Sequence, residues 1–144
     1  PGEKIWMCFI DLHIIDYDGN LMDTASLAAM TALLSAKIPG TRYKIGEDRP
    51  LPINHFPVTC TAMKLGEAIV FDPGLIEDKV GRPRLTVSHD ENGDIRAMQK
   101  GLAGGFTVDE VKAIIRTAKT KSTAIREQLL AATGRQVAPM ARRR

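Results

Sequence analysis

The chain begins with a run of apolar positions that suits a buried β-strand. Residues 4–15 are rich in β-branched and aromatic side chains, and apolar residues occupy both alternating sets of positions. A strand with that pattern is usually covered on both faces, so we predict a strand in the middle of a sheet. The turn-forming residues 16–20 then end it.

Two later segments change to helical periodicity. A helix can begin with Asp23 or Thr24 as its cap, and the Pro-Gly pair at 39–40 stops it. Near the other end of the chain, Thr107 and Glu110 have the spacing of a capping box ahead of a longer amphipathic helix. The apolar positions are Leu27, Met30, Leu33 and Leu34 in the first helix, and Val111, Ile114, Ile115, Ala118, Ile125 and Leu129 in the second, whose opposite face carries Lys112, Arg116, Lys119 and Lys121.

Four short strands fit between these helices. Residues 49–57 hold three prolines, which indicates an extended connector. Two hairpins follow, with turns at Gly66 and at residues 92–93 (Asn-Gly). The order of elements predicts an α+β fold with one antiparallel-rich mixed sheet and two main helices packed on it. The predicted strands are 58–64, 68–71, 84–89 and 94–100.

Composition and charge argue against a membrane protein and against a generally basic, nucleic-acid-binding protein. Hydrophobic residues make up 44% of the chain and charged residues 26%, which is ordinary for a globular protein. No apolar run approaches the roughly 20 residues that cross a bilayer, so no membrane partner is expected. The formal charge of +3 is concentrated in residues 133–144, which we predict to be a basic disordered tail. Without the four arginines of that tail, the rest of the chain has a formal charge of about −1. Composition therefore does not predict a general nucleic-acid-binding surface.

The two cysteines, Cys8 and Cys60, both lie in apolar, strand-like segments. We predict buried free thiols and a cytoplasmic setting. Two isolated cysteines are too few for a disulfide framework or a metal site.

Several polar groups have the residue types of catalytic or metal sites, but each also has a structural interpretation. Asp11 and His13 share one face of the first predicted strand. Asp11 could orient the imidazole of a catalytic His13, or the two could be a buried polar pair with a structural role. His55 and His89 show no metal-ligand spacing. Residues 101–105 (GLAGG) precede a helix but lack the lysine of a phosphate loop, so a flexible connection is favoured. Three acids in one predicted loop have the oxygen ligands of a Mg²⁺ site, although such loops are usually solvated: Asp72, Glu77 and Asp78.

Two long segments resemble the RNase PH-like subunits of the exosome. They are residues 10–39 (IDLHIIDYDGNLMDTASLAAMTALLSAKIP) and residues 49–73 (RPLPINHFPVTCTAMKLGEAIVFDP), and residues 97–100 (AMQK) match as well. The resemblance implies a fold of two related halves, with residues 1–132 expected to be the C-terminal half of an RNase PH-like domain. It also implies an archaeal ring of alternating catalytic and non-catalytic subunits that degrades RNA from its 3′ end, with inorganic phosphate as the attacking group.

The resemblance also distinguishes the two kinds of subunit. Active members read Asp-Gly-Gly-Thr-Arg-Thr after the first strand, and the threonine and arginine bind the attacking phosphate. Here the stretch reads DGNLMD, so the phosphate site is expected to be degenerate at Asn20, Leu21 and Met22. Active members also carry two aspartates six positions apart for metal and acid–base work. Here Asp78 matches the first and Arg84 stands at the second, so the metal pair is expected to be degenerate too.

The resemblance therefore favours a non-catalytic subunit, with no catalytic residues, no metal and no cofactor of its own. Its expected partners are a catalytic RNase PH-like subunit in a hetero-hexamer of three heterodimers, RNA-binding cap subunits, and RNA. No RNA-contacting residues are assigned. Two alternatives remain open, an active phosphorolytic 3′–5′ exoribonuclease and an unrelated small-molecule-binding α+β domain.

Overall fold

The computed structural model describes residues 5–136. Three helices occur in this part of the chain, α1 (Leu21–Ser35), α2 (Leu75–Val80) and α3 (Val108–Thr133). The strands are β1 (Lys37–Ile38), β2 (Arg49–Pro50), β3 (Val58–Leu65), β4 (Ala68–Phe71), β5 (Arg84–His89) and β6 (Ile95–Gly101). No described helix is both long enough and apolar enough to cross a membrane.

The four longer strands form one antiparallel sheet in the order β4-β3-β5-β6. In its register Ala62 lies opposite Phe71 on one side and opposite Leu85 on the other, so both predicted hairpins are present. The central strands β3 and β5 are largely buried, whereas β6 is an exposed edge strand. The α+β architecture predicted from the sequence is confirmed.

Helices cover both faces of this sheet. Alternate residues of a strand point to opposite faces, so Cys60 and Ala62 point to one side and Thr59 and Thr61 to the other. On the first side, α3 packs Ile114 and its neighbours against the buried side chains of β3 and β5. On the second, α1 contacts the threonines through side-chain hydrogen bonds. A smaller apolar cluster joins the two helices, formed by Leu34, Phe56 and Leu129.

Helix α3 forms as its sequence predicts. Thr107 Oγ1 accepts a hydrogen bond from the Glu110 backbone N–H at 3.2 Å, and Glu110 Oε2 accepts one from the Thr107 N–H at 2.7 Å. This reciprocal pair satisfies two of the N–H groups that a helix start leaves free. The predicted apolar face meets the sheet, and the four predicted basic residues of the opposite face are exposed.

The predicted strand at the start of the chain is wrong as a description of this structure. Residues 5–15 have no strand structure, and their apolar side chains are exposed, from 49% at Trp6 to 98% at Ile15. A strand needs a neighbour for its backbone N–H and C=O groups, and residues 5–136 offer this segment none. The prediction of buried thiols holds for Cys60 but is wrong for Cys8, which lies in this segment and is exposed.

Helix boundaries differ from the predictions near the turns. Helix α1 begins at Leu21, with Asn20 rather than Asp23 or Thr24 at its N-cap position. It ends at Ser35, before the predicted stop, because the chain next enters the short β1–β2 pair. Helix α2 was not predicted; its six residues are too short to show a periodic pattern.

The basic tail was predicted from position 133, and residues 137–144 of it lie outside the described part. In the described part, Thr133 closes α3, and Gly134 caps it with a left-handed backbone, φ 63°. Arg135 Nε then donates a 2.7 Å hydrogen bond to the Leu34 carbonyl of α1. The disordered tail stays a prediction, and the first residues of the predicted range, Thr133 to Arg135, are in contact with α3 and α1.

Candidate functional site

The turn before α1 is held against the loop that follows β4. Gly19 has φ +97° and forms an isolated antiparallel bridge with Gly74. A Cβ at Gly19 would lie 2.5 Å from the Pro73 carbonyl oxygen, so only glycine permits both this backbone conformation and this close approach. The bridge brings the start of α1 beside the start of α2.

Asn20 joins the same two segments through its side chain. Its Nδ2 donates to Asp23 Oδ2 at 2.9 Å and to Asp72 Oδ1 at 2.6 Å, while its buried Oδ1 has no partner among residues 5–136. Asp23 Oδ2 also accepts from the Thr61 N–H at 2.7 Å, and its Oδ1 accepts from the Thr61 hydroxyl at 2.7 Å. Burial raises the pKa of Asp23, although these donors act in the opposite direction. The first turn of α1 is therefore tied to β3 by the half-buried carboxylate of Asp23.

Asp78 and Arg84, the two positions of the degenerate metal pair, meet beside this turn. Arg84 Nη1 lies 4.0 Å from Asp78 Oδ1, and the Tyr17 hydroxyl donates a hydrogen bond to Asp78 Oδ2 at 2.5 Å. The hydrogen bond to Asp78 raises the pKa of Tyr17. A guanidinium beside the carboxylate supplies the positive charge that a divalent cation would otherwise bring.

The degenerate phosphate position is exposed and apolar. Leu21 and Met22 form the first turn of α1 and are 37% and 40% exposed. The charged residue in that turn is an acid, Asp23. A phosphate dianion there would find the free N–H groups of a helix start, but it would also find a carboxylate and no cation on the helix itself. The two degenerate positions, which are more than 50 residues apart in sequence, thus lie in one region of the fold.

Within residues 5–136 the structure does not bring the other candidate residues together into one cluster. Asp11 and His13 are exposed on the unpaired segment and make no hydrogen bond within the described residues. The three acids predicted in one loop are separated: Asp72 bonds Asn20, while α2 carries Glu77 and Asp78. Glu77 accepts a hydrogen bond from the Gly74 N–H, so it caps a helix. No cluster of possible metal ligands within residues 5–136 includes these three acids.

One cluster with metal-ligand chemistry was missed by sequence reasoning. Ligand atoms of His55, Asp90 and Glu91 lie within 4.8 Å of one another. The position between them is already taken by Arg96, whose Nε donates to Asp90 Oδ2 at 2.6 Å and whose Nη2 lies 3.1 Å from His55 Nδ1. Glu91 also accepts from the Phe56 N–H. The cluster therefore fastens the proline-rich connector to the β5–β6 turn. The sequence signal that could have revealed this cluster is the pair of adjacent acids, Asp90 and Glu91, directly after β5.

A cleft of about 440 Å³ lies between α1 and α3 over the edge of β3. Its floor includes Cys60, whose pKa burial raises to about 11, so the thiol is not a reactive nucleophile at neutral pH. The carboxylate of Asp23 in its wall is already hydrogen-bonded within the protein. The predicted flexible connection at residues 101–105 lies between β6 and α3 and lines none of this cleft.

Two family models match the chain. Residues 1–39 match domain 1, and residues 55–121 match domain 2, of the 3′ exoribonuclease family. The exposed segment 5–15 and helix α1 lie in the first match, and the four-stranded sheet lies in the second. The chain belongs to the 3′ exoribonuclease family, whose RNase PH-like fold it shares.

Relatives and solved structures agree with this assignment. The chain is 48% identical to the exosome complex component Rrp42 of Methanocella arvoryzae over 89% of its own length and 49% of the relative's. It is 43% identical to that of Thermococcus kodakarensis over 94% and 53%. It is also similar to an Archaeoglobus fulgidus exosome structure with RNA bound to the active site, with TM-score 0.74, 32% identity and coverage of 79% of this chain and 45% of the other. An archaeal exosome core matches with TM-score 0.75, 32% identity and coverage of 80% and 47%. The chain thus spans about half the length of the curated relatives it matches.

Proposed function

We propose that this chain is part of a non-catalytic RNase PH-like subunit of an archaeal exosome ring, which supports 3′–5′ phosphorolytic RNA degradation by a catalytic partner. The observation that carries the proposal is the pairing of Arg84 with Asp78 beside the turn that presents Leu21 and Met22. Phosphorolysis must hold an attacking phosphate and the RNA backbone together, two anions at one site. The side chains at this turn offer neither the phosphate-binding arginine nor the second metal-binding carboxylate that active members of the family are expected to carry.

The proposed role is to complete the ring and position the partner's active site, with RNA guided towards it. The expected assembly is a hetero-hexamer of three heterodimers with RNA-binding cap subunits, located in the cytoplasm. Support comes from the names of the relatives, which are exosome components, and from the similar exosome core. The exposed apolar segment 5–15 falls in the domain 1 match, as expected for a chain of this family.

The two alternatives receive less support. An active exoribonuclease would have to stabilise transition-state charge without the groups named above. Losing one well-placed group of that kind typically costs on the order of 100- to 1000-fold in rate, and two are replaced here. A small-molecule-binding domain would use the cleft between α1 and α3, but the acids in its wall already bond within the protein.

The test uses the full-length parent protein, a catalytic-type partner and RNA in phosphate buffer. We expect no release of nucleoside diphosphates from the parent alone, and release when parent and partner are mixed. In the mixture, Asp78→Ala should change the rate by less than about twofold, because the catalytic groups belong to the partner. Lys79→Ala, one position along α2, is the matched control. If Asp78→Ala abolished activity in the mixture while Lys79→Ala did not, the non-catalytic assignment would be wrong.

A further inference from the structure

The loop between β1 and β2 is an ordered projection that the proposed ring role does not explain. Residues 39–48 form the loop that connects β1 to β2, and the antiparallel pairing of these two short strands closes its base. Within the loop, the Ile45 N–H donates to the Gly40 carbonyl at 3.0 Å, and the Thr41 N–H donates to Asp48 Oδ1 at 3.0 Å. A Cβ at Gly40 would lie 2.4 Å from the Glu47 carbonyl oxygen, so the two sides of the loop touch there. The tip is thus held in one shape by its own bonds.

An aromatic pair stands at this tip. The ring of Tyr43 lies 5.1 Å from the ring of Trp6, centroid to centroid, at an interplanar angle of 86°. Both side chains remain about half exposed, Tyr43 at 50% and Trp6 at 49%. The Arg42 guanidinium lies 5.7 Å from the centre of the Tyr43 ring, close enough for a cation–π contact. The edge-to-face packing fixes the two rings while leaving aromatic surface open to another flat group.

The same projection carries unneutralised positive charge. The loop itself carries Arg42 and Lys44, the strands at its base add Lys37 and Arg49, and the acids of the loop are Glu47 and Asp48. Within residues 5–136 none of these four cations makes an ion pair, and Asp48 is engaged with the loop's own backbone. Elsewhere the exposed cations of α3 form a second basic surface. The helix itself has no aromatic residue, and the ring that Lys121 contacts there, at 5.7 Å from its centre, is the half-buried Phe71 of β4.

We propose that Trp6, Tyr43 and Arg42 form a contact site for single-stranded RNA, in which a base stacks on the aromatic pair and the neighbouring cations bind its phosphates. The inference rests on the proposed function, since it names a place where the subunit would contact RNA. Aromatic faces beside cations bind single strands with little sequence preference, because every base has a stacking face and every nucleotide a phosphate. A duplex hides its base faces, so the site selects unpaired RNA. An acidic peptide would satisfy the charges but leave the aromatic pair unused.

Trp6 is the one tryptophan of the sequence, so its fluorescence reports directly on this site. The 144-residue chain would be titrated at low protein concentration with short oligoadenylate and oligouridylate, with a matching abasic ribose-phosphate oligomer, and with polyglutamate. We expect both RNAs to quench Trp6 and to bind at least about tenfold more tightly than the abasic oligomer. Affinity should fall as salt rises. Equal binding by the abasic oligomer or by polyglutamate would overturn the stacking proposal.

Single substitutions distinguish binding at Tyr43 and Arg42 from non-specific electrostatic binding of RNA to any basic surface. Tyr43→Ala and Arg42→Ala should each weaken oligoadenylate binding at least about fivefold, whereas Tyr43→Phe should retain it, because the phenyl face still stacks. Arg116→Ala removes an exposed cation of α3 and is the matched control, with an expected change below about twofold. Circular dichroism would confirm that each variant is folded. Retained binding in Tyr43→Ala, or an equal loss in Arg116→Ala, would contradict the proposal. Neither result would bear on ring assembly, which the mixing experiment tests separately.

Discussion

The four-stranded sheet and the segment 5–15 are built from the same kinds of residue, yet they have opposite environments. In the sheet, Ala62 and Val87 are fully buried and their backbones are paired on both sides. In the segment, Ile5 is 81% exposed and Ile15 98% exposed, with no strand partner in the described part of the chain. Strand propensity describes a fit to a half-buried, paired surface and does not by itself create one. What separates the two regions is the presence of neighbours.

The difference has an energetic consequence. Apolar side chains stabilise a fold by about 25 cal/mol for each Å² removed from water, so exposed side chains contribute little to the stability of this chain. The stability should therefore come from the α3-covered face of the sheet, and the segment should instead affect what the chain binds. Mutations in the two regions should then change different measurements.

The largest expected effect is on association. The segment exposes a run of large apolar side chains, which is typical of surfaces that bind another protein or aggregate. We expect the chain at high concentration to be oligomeric or aggregated by light scattering after gel filtration. Replacing Phe9 and Ile15 together by aspartate should shift it towards monomer without changing its melting temperature. Val108→Asp is the control, since Val108 is also exposed but lies at the start of α3. If the unsubstituted 144-residue chain were monomeric at high concentration, segment 5–15 would not drive association.

The second effect is on the free energy of unfolding. Ile114 is 1% exposed in the core between α3 and the sheet, so Ile114→Ala should cost about 3 kcal/mol in transfer and cavity terms. Ile15→Ala makes the same chemical change at a site that is 98% exposed and should cost less than about 0.5 kcal/mol. Urea unfolding followed by circular dichroism measures both. Similar losses at the two positions would mean that the segment packs against the body in solution.

The sheet and α3 were predictable because their signals are local and their partners lie in this chain. The capping box of Thr107 and Glu110 and the turn at Asn92 and Gly93 each specify structure within a few residues. The side chains of β3 and β5 are largely buried because both strands have neighbours in the same sheet. The segment 5–15 carries an equally clear pattern, but a pattern records the environment for which a sequence was selected. It does not say whether that environment lies in the same chain.

The candidate site was predictable in its residues but not in its contacts. The resemblance pointed to Asn20–Met22 and to Asp78 and Arg84 as two degenerate positions of one site, without giving the contacts that bring them together. Their proximity depends on the bridge of Gly19 with Gly74, which joins segments more than 50 residues apart. The partners of Tyr17 and Arg96 depend on tertiary packing in the same way, so no local sequence signal reveals them.

The smallest expected effect concerns pH and again separates the two regions. His89 is 1% exposed at the end of β5, and neither ring nitrogen has a hydrogen-bond partner among residues 5–136. Burial lowers the pKa of His89 below its ordinary value of 6.5; nearby Lys119 and Arg126 act in the same direction, and Asp90 acts against them. The unfolded chain therefore takes up this proton at a higher pH than the folded chain does. Stability from the neutral imidazole is complete above about pH 6.5 and is lost as pH falls towards the lowered pKa.

His89→Leu should make the free energy of unfolding less dependent on pH between 7 and 5, because the group whose pKa differs between the folded and unfolded chains is removed. At pH 7 the substitution should be neutral or slightly stabilising, because leucine is of similar size and leaves no buried ring nitrogen unpaired. The matched control is His13→Leu in the exposed segment, which should leave both the stability and its pH dependence unchanged. Urea unfolding at a series of pH values measures the difference. Parallel curves for the parent chain and His89→Leu would mean that the imidazole is hydrated and protonates in the folded state as readily as in the unfolded one.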